Sequence, residues 1–242
     1  MISLARQIES ERGMTTMQDE AKRRAAEHAI ALVTDGQVVG LGTGSTAKFA
    51  IEGLGRCVSE GLSIKGVPTS IATEKMAREV GIPLVDLNEV QLIDITLDGA
   101  DEVDRDFNMI KGGGGALTRE KLVALASKRR VILVDESKLV SRLGESRCLP
   151  VEVLPFAWTL SARSLSELGC TANLRRQAGR CFVTDNGNYI LDCEFGAIAD
   201  PPALESQIKL QHGVIESGLF IGIADTLVIG FDDRVEVKQR LN

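Results

Sequence analysis

Residues 37–54 read QVVGLGTGSTAKFAIEGL, which predicts a strand, a glycine-rich turn and a helix in immediate succession. The same alternation continues along the chain. Further apolar strands are predicted at 62–67, 93–97 and 131–134, and helices at 17–34, 71–80 and 119–127. Near-continuous apolar strands that alternate with helices are typical of a parallel sheet covered on both faces. Residues 17–145 therefore predict an α/β domain.

The pattern changes after residue 145. A short strand is predicted at 150–153, and helices at 156–168 and 201–210. Between the helices, residues 181–195 read CFVTDNGNYILDCEF, and the Asn-Gly turn in this stretch predicts a β-hairpin. We therefore expect a small α+β domain over 146–216. We expect the apolar runs within 217–242 to return the chain to the large domain and the polar residues 1–16 to form an N-terminal arm.

Composition is that of an ordinary globular protein, with 44% apolar and 26% charged residues and a net charge of −6. The absence of a long basic run argues against a nucleic-acid or anionic-membrane partner. No apolar stretch is long enough for a membrane helix. Five scattered cysteines without a CxxC pair, and an N-terminus without an apolar signal core, predict a cytoplasmic protein. Only two histidines are present, so we expect carboxylates and lysines to perform any acid–base chemistry, and no metal site.

The turn after the first strand, Gly40–Ala47, partly matches a dinucleotide-binding fingerprint. That fingerprint also needs an acidic residue at the end of the next strand, where Val67–Ser70 has none. Backbone N–H groups remain at the start of a helix, together with the hydroxyls of Thr43, Ser45 and Thr46. This arrangement suits a phosphate or a polyol. A tight turn with a Ser/Thr cap is the structural alternative.

Three further segments carry charged residues, two of them directly after predicted strands, where ligands bind in open α/β sheets. Asp98 and Asp101 follow the third strand, and Lys138 follows the fourth. Lys111 precedes four glycines, and Glu120 lies nine residues after it in the next helix. We interpret the glycines as positions where backbone amides approach a ligand between Lys111 and Glu120. Solvated turn acids, a surface lysine and a helix-dipole role for Glu120 are the alternatives.

Several segments in the same order resemble the A-type ribose-5-phosphate isomerases. The matching segments are GLGTGSTA (40–47), TEK (73–75) followed by GIPL (81–84), DGADEVD (98–104), KGGGGALTREK (111–121), VDESK (134–138), PVEVLPFA (150–157), VTDNGNYILDC (183–193) and HGVIESGLF (212–220). The resemblance covers roughly residues 17–231. It implies a parallel-sheet, Rossmann-like α/β domain with a smaller α+β (ferredoxin-like) domain. It also implies a homodimer or homotetramer that works without a metal or an organic cofactor.

The reaction implied by the resemblance interconverts ribose 5-phosphate and ribulose 5-phosphate through an enediolate, with Glu120 as general base. The implied catalytic residues are Glu120, Asp98, Asp101 and Lys111. The implied substrate-binding residues are Thr43, Gly44, Ser45, Thr46, Asp98, Gly99, Ala100, Asp101, Lys111, Gly112, Gly113, Gly114 and Lys138. The resemblance does not decide which of the two aspartates assists opening of the sugar ring.

Two other classes of protein stay as alternatives. An amino-sugar-phosphate deaminase or a CoA transferase could share the sheet and the glycine turns, although a deaminase needs a catalytic histidine. A sugar-phosphate sensor attached to a transcriptional repressor would need a helix-turn-helix segment, for which residues 1–16 are too short, and it would not need Glu120.

Overall fold

The computed structural model describes residues 17–240, and the predicted arm over 1–16 lies outside the described residues. The helices are α1 (17–30), α2 (Ser45–Ser59), α3 (Ile71–Glu79), α4 (Leu117–Leu125), α5 (Trp158–Glu167) and α6 (Pro201–Lys209). The first strands are β1 (Val38–Leu41), β2 (Lys65–Pro68), β3 (Ile93–Gly99), β4 (Glu102–Val103), β5 (Met109–Ile110), β6 (Ser127–Asp135), β7 (Leu149–Val153) and β8 (Thr171–Leu174). The remaining strands are β9 (Arg176–Gln177), β10 (Arg180–Cys181), β11 (Tyr189–Glu194), β12 (Val214–Ser217), β13 (Leu219–Phe220), β14 (Thr226–Gly230) and β15 (Val235–Gln239). None of the helices in this range is both long and apolar enough to cross a membrane.

The central sheet has six strands in the order β15-β14-β6-β3-β1-β2. All neighbouring pairs are parallel except β14 and β15, so β15 is an antiparallel edge strand. The chain passes from β1 to β2 on one side and then returns to β3 on the other side of β1. This reversal creates a topological switch point between β1 and β3, where open α/β sheets bind their ligands.

Both faces of this sheet are covered, which explains the all-apolar stretch VILV at 131–134. Val131 and Leu133 point into a core that contains apolar residues of α1 and α2. Ile132 and Val134 point to the opposite face, where they pack with Leu117 of α4. The predicted parallel-sheet architecture is therefore confirmed.

A second sheet of four antiparallel strands has the order β12-β7-β11-β8. Helix α5 follows β7, and α6 lies between β11 and β12, so the chain order of this unit is βαββαβ. This order and strand arrangement are those of a ferredoxin-like unit, as expected. The exact domain boundaries, 17–145 with 217–242 and 146–216, stay a prediction.

The prediction of a β-hairpin over residues 181–195 is wrong. Strand β11 pairs with β7 and β8, whereas β10 pairs with β9. The turn itself exists, since the Thr184 N–H donates to the Asn188 carbonyl at 2.9 Å. Its polar side chains bind a buried carboxylate of β7, so this contact, and not pairing of the two flanking segments, determines the geometry of the turn.

The helix predicted over 119–127 ends too late, and the strand predicted at 131–134 is too short. Helix α4 ends at Leu125, and β6 already begins at Ser127. The Ser127 hydroxyl bonds the Thr96 hydroxyl at 2.6 Å and the Val123 carbonyl at 2.7 Å. Arg130 pairs with Asp225 at 2.6 Å. These tertiary contacts hold a polar segment in the strand that its sequence alone does not predict.

Candidate active site

A pocket of about 80 Å³ lies at the carboxyl ends of β1 and β3, at the switch point. Segments from four loops and one side chain of α4 meet there. The lining residues are Thr43, Gly44, Ser45, Thr46, Gly99, Ala100, Asp101, Lys111, Gly112, Gly113, Gly114, Glu120 and Lys138. Every residue predicted for the site therefore lines this pocket except Asp98, which lies directly behind it in contact with Lys111.

The Lys111 side chain forms the centre of a buried charge cluster. Its Nζ lies 3.1 Å from Asp98 Oδ2 and 3.1 Å from Glu120 Oε1, and it donates to the Gly99 carbonyl at 2.6 Å. Lys111, Asp98 and Glu120 are each at most 4% exposed. One ammonium thus lies between two carboxyl groups that water barely reaches.

This arrangement has one positive charge for two acids, and so it favours retention of a proton. Burial, and to a smaller extent the nearby Asp98 charge, raise the pKa of Glu120 from its ordinary value of 4.5 to about 8, against the attraction of Lys111. Burial likewise raises the pKa of Asp98. Burial alone would lower the pKa of Lys111, but Asp98 and Glu120 outweigh it and raise that pKa, so the lysine stays charged.

The two carboxyl groups differ in their hydrogen bonds. Asp98 Oδ1 accepts from the backbone N–H of Gly99 at 2.7 Å and of Thr43 at 3.1 Å, which stabilises its ionised form. Glu120 Oε2 is buried and has no hydrogen-bond partner among residues 17–240. A buried carboxyl oxygen without a partner is costly unless a ligand or a proton satisfies it. Glu120 is therefore the member of the pair that is available to exchange a proton.

Three of the four glycines in the run have reasons within the protein. Gly112 and Gly115 have positive φ angles of 105° and 83°, which L-residues rarely adopt. A Cβ on Gly113 would lie 2.7 Å from Asp101 Oδ1. A Cβ on Gly114 would meet only Thr43 Cγ2, at 3.6 Å. Gly114 is thus the glycine that the protein itself does not require, and it faces the pocket.

The backbone amides of the run are not equally available. Gly113 N–H donates to Asp101 Oδ2 at 2.7 Å, and Gly115 N–H donates to the Gly112 carbonyl at 3.0 Å. The Gly114 N–H has no partner within the described range. The expectation that the whole run offers amides to a ligand is therefore wrong for Gly113 and Gly115.

The loop after β1 leads into α2, whose N-cap residue Gly44 has no side chain to cap the helix. The first backbone N–H groups of α2 are therefore left for an anion. The Thr43 hydroxyl points elsewhere, since it bonds Thr69, Ser70 and Thr73 at 2.8–3.0 Å. Thr43 thus shapes this loop, whereas the expectation that its hydroxyl is available to a ligand is not met in this structure.

The four-stranded sheet supports the helix that carries Glu120, which the sequence did not reveal. Glu152 of β7 is completely buried, and it accepts from Thr118 at 2.5 Å and from three side chains of the 184–188 turn at 2.9–3.1 Å. Arg119 donates to Asn186 of the same turn at 2.7 Å. A charged residue inside the apolar stretch PVEV was the only available signal for Glu152.

On the other side of Glu120, the buried Lys121 attaches α4 to the same sheet. Its Nζ lies 2.8 Å from Glu216 and 3.3 Å from Glu205, and it donates to two backbone carbonyls. The residues immediately before and after Glu120 are thus both fixed by the unit that contains the four-stranded sheet, which we call the small unit. This restricts the rotation and translation of α4 and so holds the Glu120 carboxyl group in the pocket.

A larger groove of about 490 Å³ lies on the other side of α4, between α3 and the 84–89 loop. Its two arginines are already paired: Arg78 with Glu74 at 2.8 Å, and Arg119 with Asn186 at 2.7 Å. The groove lacks the lysine–carboxylate cluster. The smaller pocket is therefore the candidate active site.

The fold and this pocket define a Rossmann-like α/β protein with a buried acid–lysine site at the switch point. The family model of ribose 5-phosphate isomerase A (phosphoriboisomerase A) matches residues 65–234. The chain belongs to the ribose 5-phosphate isomerase A family. This confirms the family expected from the sequence motifs.

Named relatives match over nearly their whole length. A ribose-5-phosphate isomerase A 1 of Oceanobacillus iheyensis is 50% identical over 222 residues, 91% of this chain and 99% of that protein. A ribose-5-phosphate isomerase A of Gloeobacter violaceus is 51% identical over 220 residues, 90% and 96% of the two chains. The structure of the Methanocaldococcus jannaschii ribose 5-phosphate isomerase A has 42% identity and a TM-score of 0.88, covering 92% of this chain and 99% of that chain. A D-ribose-5-phosphate isomerase solved in complex with phospho-erythronic acid has 41% identity and a TM-score of 0.89, covering 91% and 98%.

The charge cluster predicts a pH-dependent contribution of Glu120 to stability, which Glu120→Gln removes. Because the pKa of Glu120 is about 8 in the folded protein and ordinary in the unfolded chain, the folded state binds more protons between these values. The contribution of Glu120 to the free energy of unfolding should then fall as the pH rises from about 5 to 8, by up to about 1.4 kcal/mol per pH unit. Denaturant unfolding of both proteins at several pH values measures this. A stability difference that is constant between pH 5 and 8 would contradict the shifted pKa.

Proposed function

We propose that this chain is an aldose–ketose isomerase that interconverts D-ribose 5-phosphate and D-ribulose 5-phosphate, a reaction of the non-oxidative pentose phosphate pathway. The observation that carries the proposal is Glu120 Oε2, a buried carboxyl oxygen without a protein partner at the edge of the pocket. Family membership and the names of the relatives support the same substrate.

The reaction moves a proton between C2 and C1 of the open-chain sugar through an enediolate. A single carboxylate that reaches both carbons can remove the proton from one and return it to the other. In the proposal the ionised form of Glu120 takes this role, and its raised pKa of about 8 makes that form a stronger proton acceptor than an ordinary carboxylate. Lys111 stays charged next to it and stabilises the negative charge that develops on the sugar oxygens.

The phosphate group binds at the N-terminus of α2. The uncapped amides that follow Gly44 supply donors, as do the Ser45 and Thr46 side chains. Lys138 also lines the pocket, and it forms no ion pair with any residue between 17 and 240. A dianionic phosphate gives this lysine its partner.

Asp98 and Asp101 complete the sugar site. Asp101 lines the pocket and is fixed by the Gly113 N–H at 2.7 Å, while Asp98 is buried behind it against Lys111. In the proposal they bind sugar hydroxyls, and one of them assists ring opening.

The alternative of an amino-sugar-phosphate deaminase needs a catalytic histidine in the site. His28 and His212 are exposed and neither lines the pocket, which argues against this alternative.

Glu120→Gln should lower kcat for ribulose 5-phosphate formation by about 100- to 10,000-fold, because the amide cannot accept the proton. The assay contains EDTA, and wild-type activity is expected to survive it. The matched control is Glu136→Gln, an exposed glutamate after β6 that does not line the pocket.

The control should keep wild-type turnover. Binding of phospho-erythronic acid, measured by calorimetry, should persist in Glu120→Gln and show that the pocket is intact. Full turnover in Glu120→Gln would assign the base to another residue, whereas a folded wild-type protein without turnover would contradict the proposed reaction.

We also propose that the protein is cytoplasmic and forms a homodimer or homotetramer. All five cysteines are free thiols, which suits a reducing compartment. Large apolar side chains are exposed on the small unit, with Phe156 at 90%, Leu210 at 79% and Leu160 at 58%. The Leu154 N–H donates to the Gly213 carbonyl, which brings the chain near Phe156 and Leu210 together. An exposed patch of this kind marks an interaction surface.

Light scattering should give a mass of two or four times 26.0 kDa for the wild type. Phe156→Asp should shift the protein toward the monomer, because it buries a charge in the interface. A wild-type mass of 26.0 kDa at micromolar concentration would contradict the oligomer.

A further inference from the structure

Arg175, in the four-stranded unit just after β8, reaches across to the glycine run of the pocket. Its Nη1 donates to the carbonyl of Gly112 at 2.8 Å and to the carbonyl of Gly113 at 3.1 Å. Asp192 of β11 holds the other edge of the guanidinium, with the Nε–Oδ2 distance at 2.9 Å and a second bond from Nη2 to Oδ1. The Phe182 ring lies 5.7 Å from the guanidinium carbon. The arginine is thus fixed in place by its own neighbours.

These two bonds determine the orientation of two peptide planes. In a trans peptide, the carbonyl of one residue and the N–H of the next point in opposite directions. Because Arg175 binds the Gly112 carbonyl, the Gly113 N–H must point away from Arg175, and it does so, toward Asp101 in the pocket at 2.7 Å. By the same geometry, the bond to the Gly113 carbonyl directs the Gly114 N–H to the pocket side.

The Gly114 N–H is an amide that a ligand can use there. It has no hydrogen-bond partner in the described part of the chain, while the amides of Gly113 and Gly115 are engaged. A Cβ on Gly114 would meet only Thr43, at 3.6 Å, so the space beside this amide opens toward the loop between β1 and α2. Gly114 also lines the pocket together with Lys111 and Glu120.

We propose that Arg175 is a positioning residue that orients the Gly114 amide as a hydrogen-bond donor to the oxygen that becomes negative in the enediolate. This inference rests on the proposed isomerase function and extends it to a residue outside the pocket. Arg175 does not touch the substrate. It acts by fixing the peptide between Gly113 and Gly114, so that the donor need not reorient during the reaction.

Lysine cannot replace arginine in this role. The planar guanidinium binds Asp192 with Nε and Nη2 and the two carbonyls with Nη1, whereas a single ammonium does not match both sets. Arg175→Lys should therefore lower kcat by about 100-fold, the size expected for loss of one oxyanion donor. The KM for ribose 5-phosphate should change by less than about threefold, because the Gly114 donor acts mainly on the charge that develops in the transition state. The pH dependence set by Glu120 should stay the same, because Arg175 does not contact Glu120.

The matched control is Arg176→Lys. Arg176 is the exposed neighbour, and its side chain makes one bond of 3.4 Å, to the Gly179 carbonyl. This control should keep wild-type kcat. Thermal unfolding verifies that each variant is folded at the assay temperature. A purely structural role for Arg175 would lower the melting temperature and leave kcat of the folded enzyme unchanged, and that result would overturn the proposal.

A second measurement on the wild-type protein does not depend on the folding of any variant. In ¹⁵N–¹H spectra, the Gly114 amide proton should shift strongly downfield when phospho-erythronic acid binds, because the ligand oxygen then accepts from it. A Gly114 resonance that does not move on saturation would overturn the proposal. Wild-type protein without isomerase turnover would contradict the proposed function, whereas normal wild-type turnover with an unimpaired Arg175→Lys variant would contradict the role of Arg175 alone.

Discussion

The ammonium of Lys111 lies 3.1 Å from both Asp98 and Glu120, and water barely reaches any of the three side chains. Burial of charged groups is costly unless they are paired and hydrogen-bonded. Here one cation faces two acids, so the cluster is balanced only when one acid keeps a proton. Asp98 has two backbone donors, and Glu120 has an oxygen without a partner, so the proton belongs to Glu120. The rest of the site depends on this unequal division.

Such a cluster functions only if its members cannot move apart, and the two sheets share that task. The parallel sheet holds Asp98 at the end of β3. The four-stranded sheet holds α4 through Glu152 and Lys121, on either side of Glu120. It also reaches the glycine run through Arg175. The small unit is therefore a support for the catalytic geometry.

The sequence was sufficient for the parts of the structure that follow from local pattern. Apolar strands that alternate with helices predicted the parallel sheet, and glycine turns with charged residues at strand ends predicted most of the lining residues of the pocket. The resemblance to the family motifs added Gly44, Gly99 and Ala100. The hairpin at 181–195 failed because its turn is fixed by Glu152, which is distant in sequence. Arg175 was missed for the same reason: a lone arginine in a polar stretch has no local signal, and its role depends on two carbonyls more than 60 residues away. The sequence also could not show which of the four glycines the backbone requires and which faces the pocket, because this depends on φ angles and on distances to residues from other segments.

The most direct test of this account is the titration of the Glu120 carboxyl group itself. The δ-carbon of glutamate can be labelled with ¹³C, and the Glu120 signal is identified by its loss in Glu120→Gln. We expect this signal to titrate near pH 8 in the ligand-free protein, because burial outweighs the attraction of Lys111. A Glu120 signal that titrates near its ordinary value of 4.5 would mean that Lys111 neutralises it fully, and it would contradict the central claim that the cluster keeps a proton on Glu120.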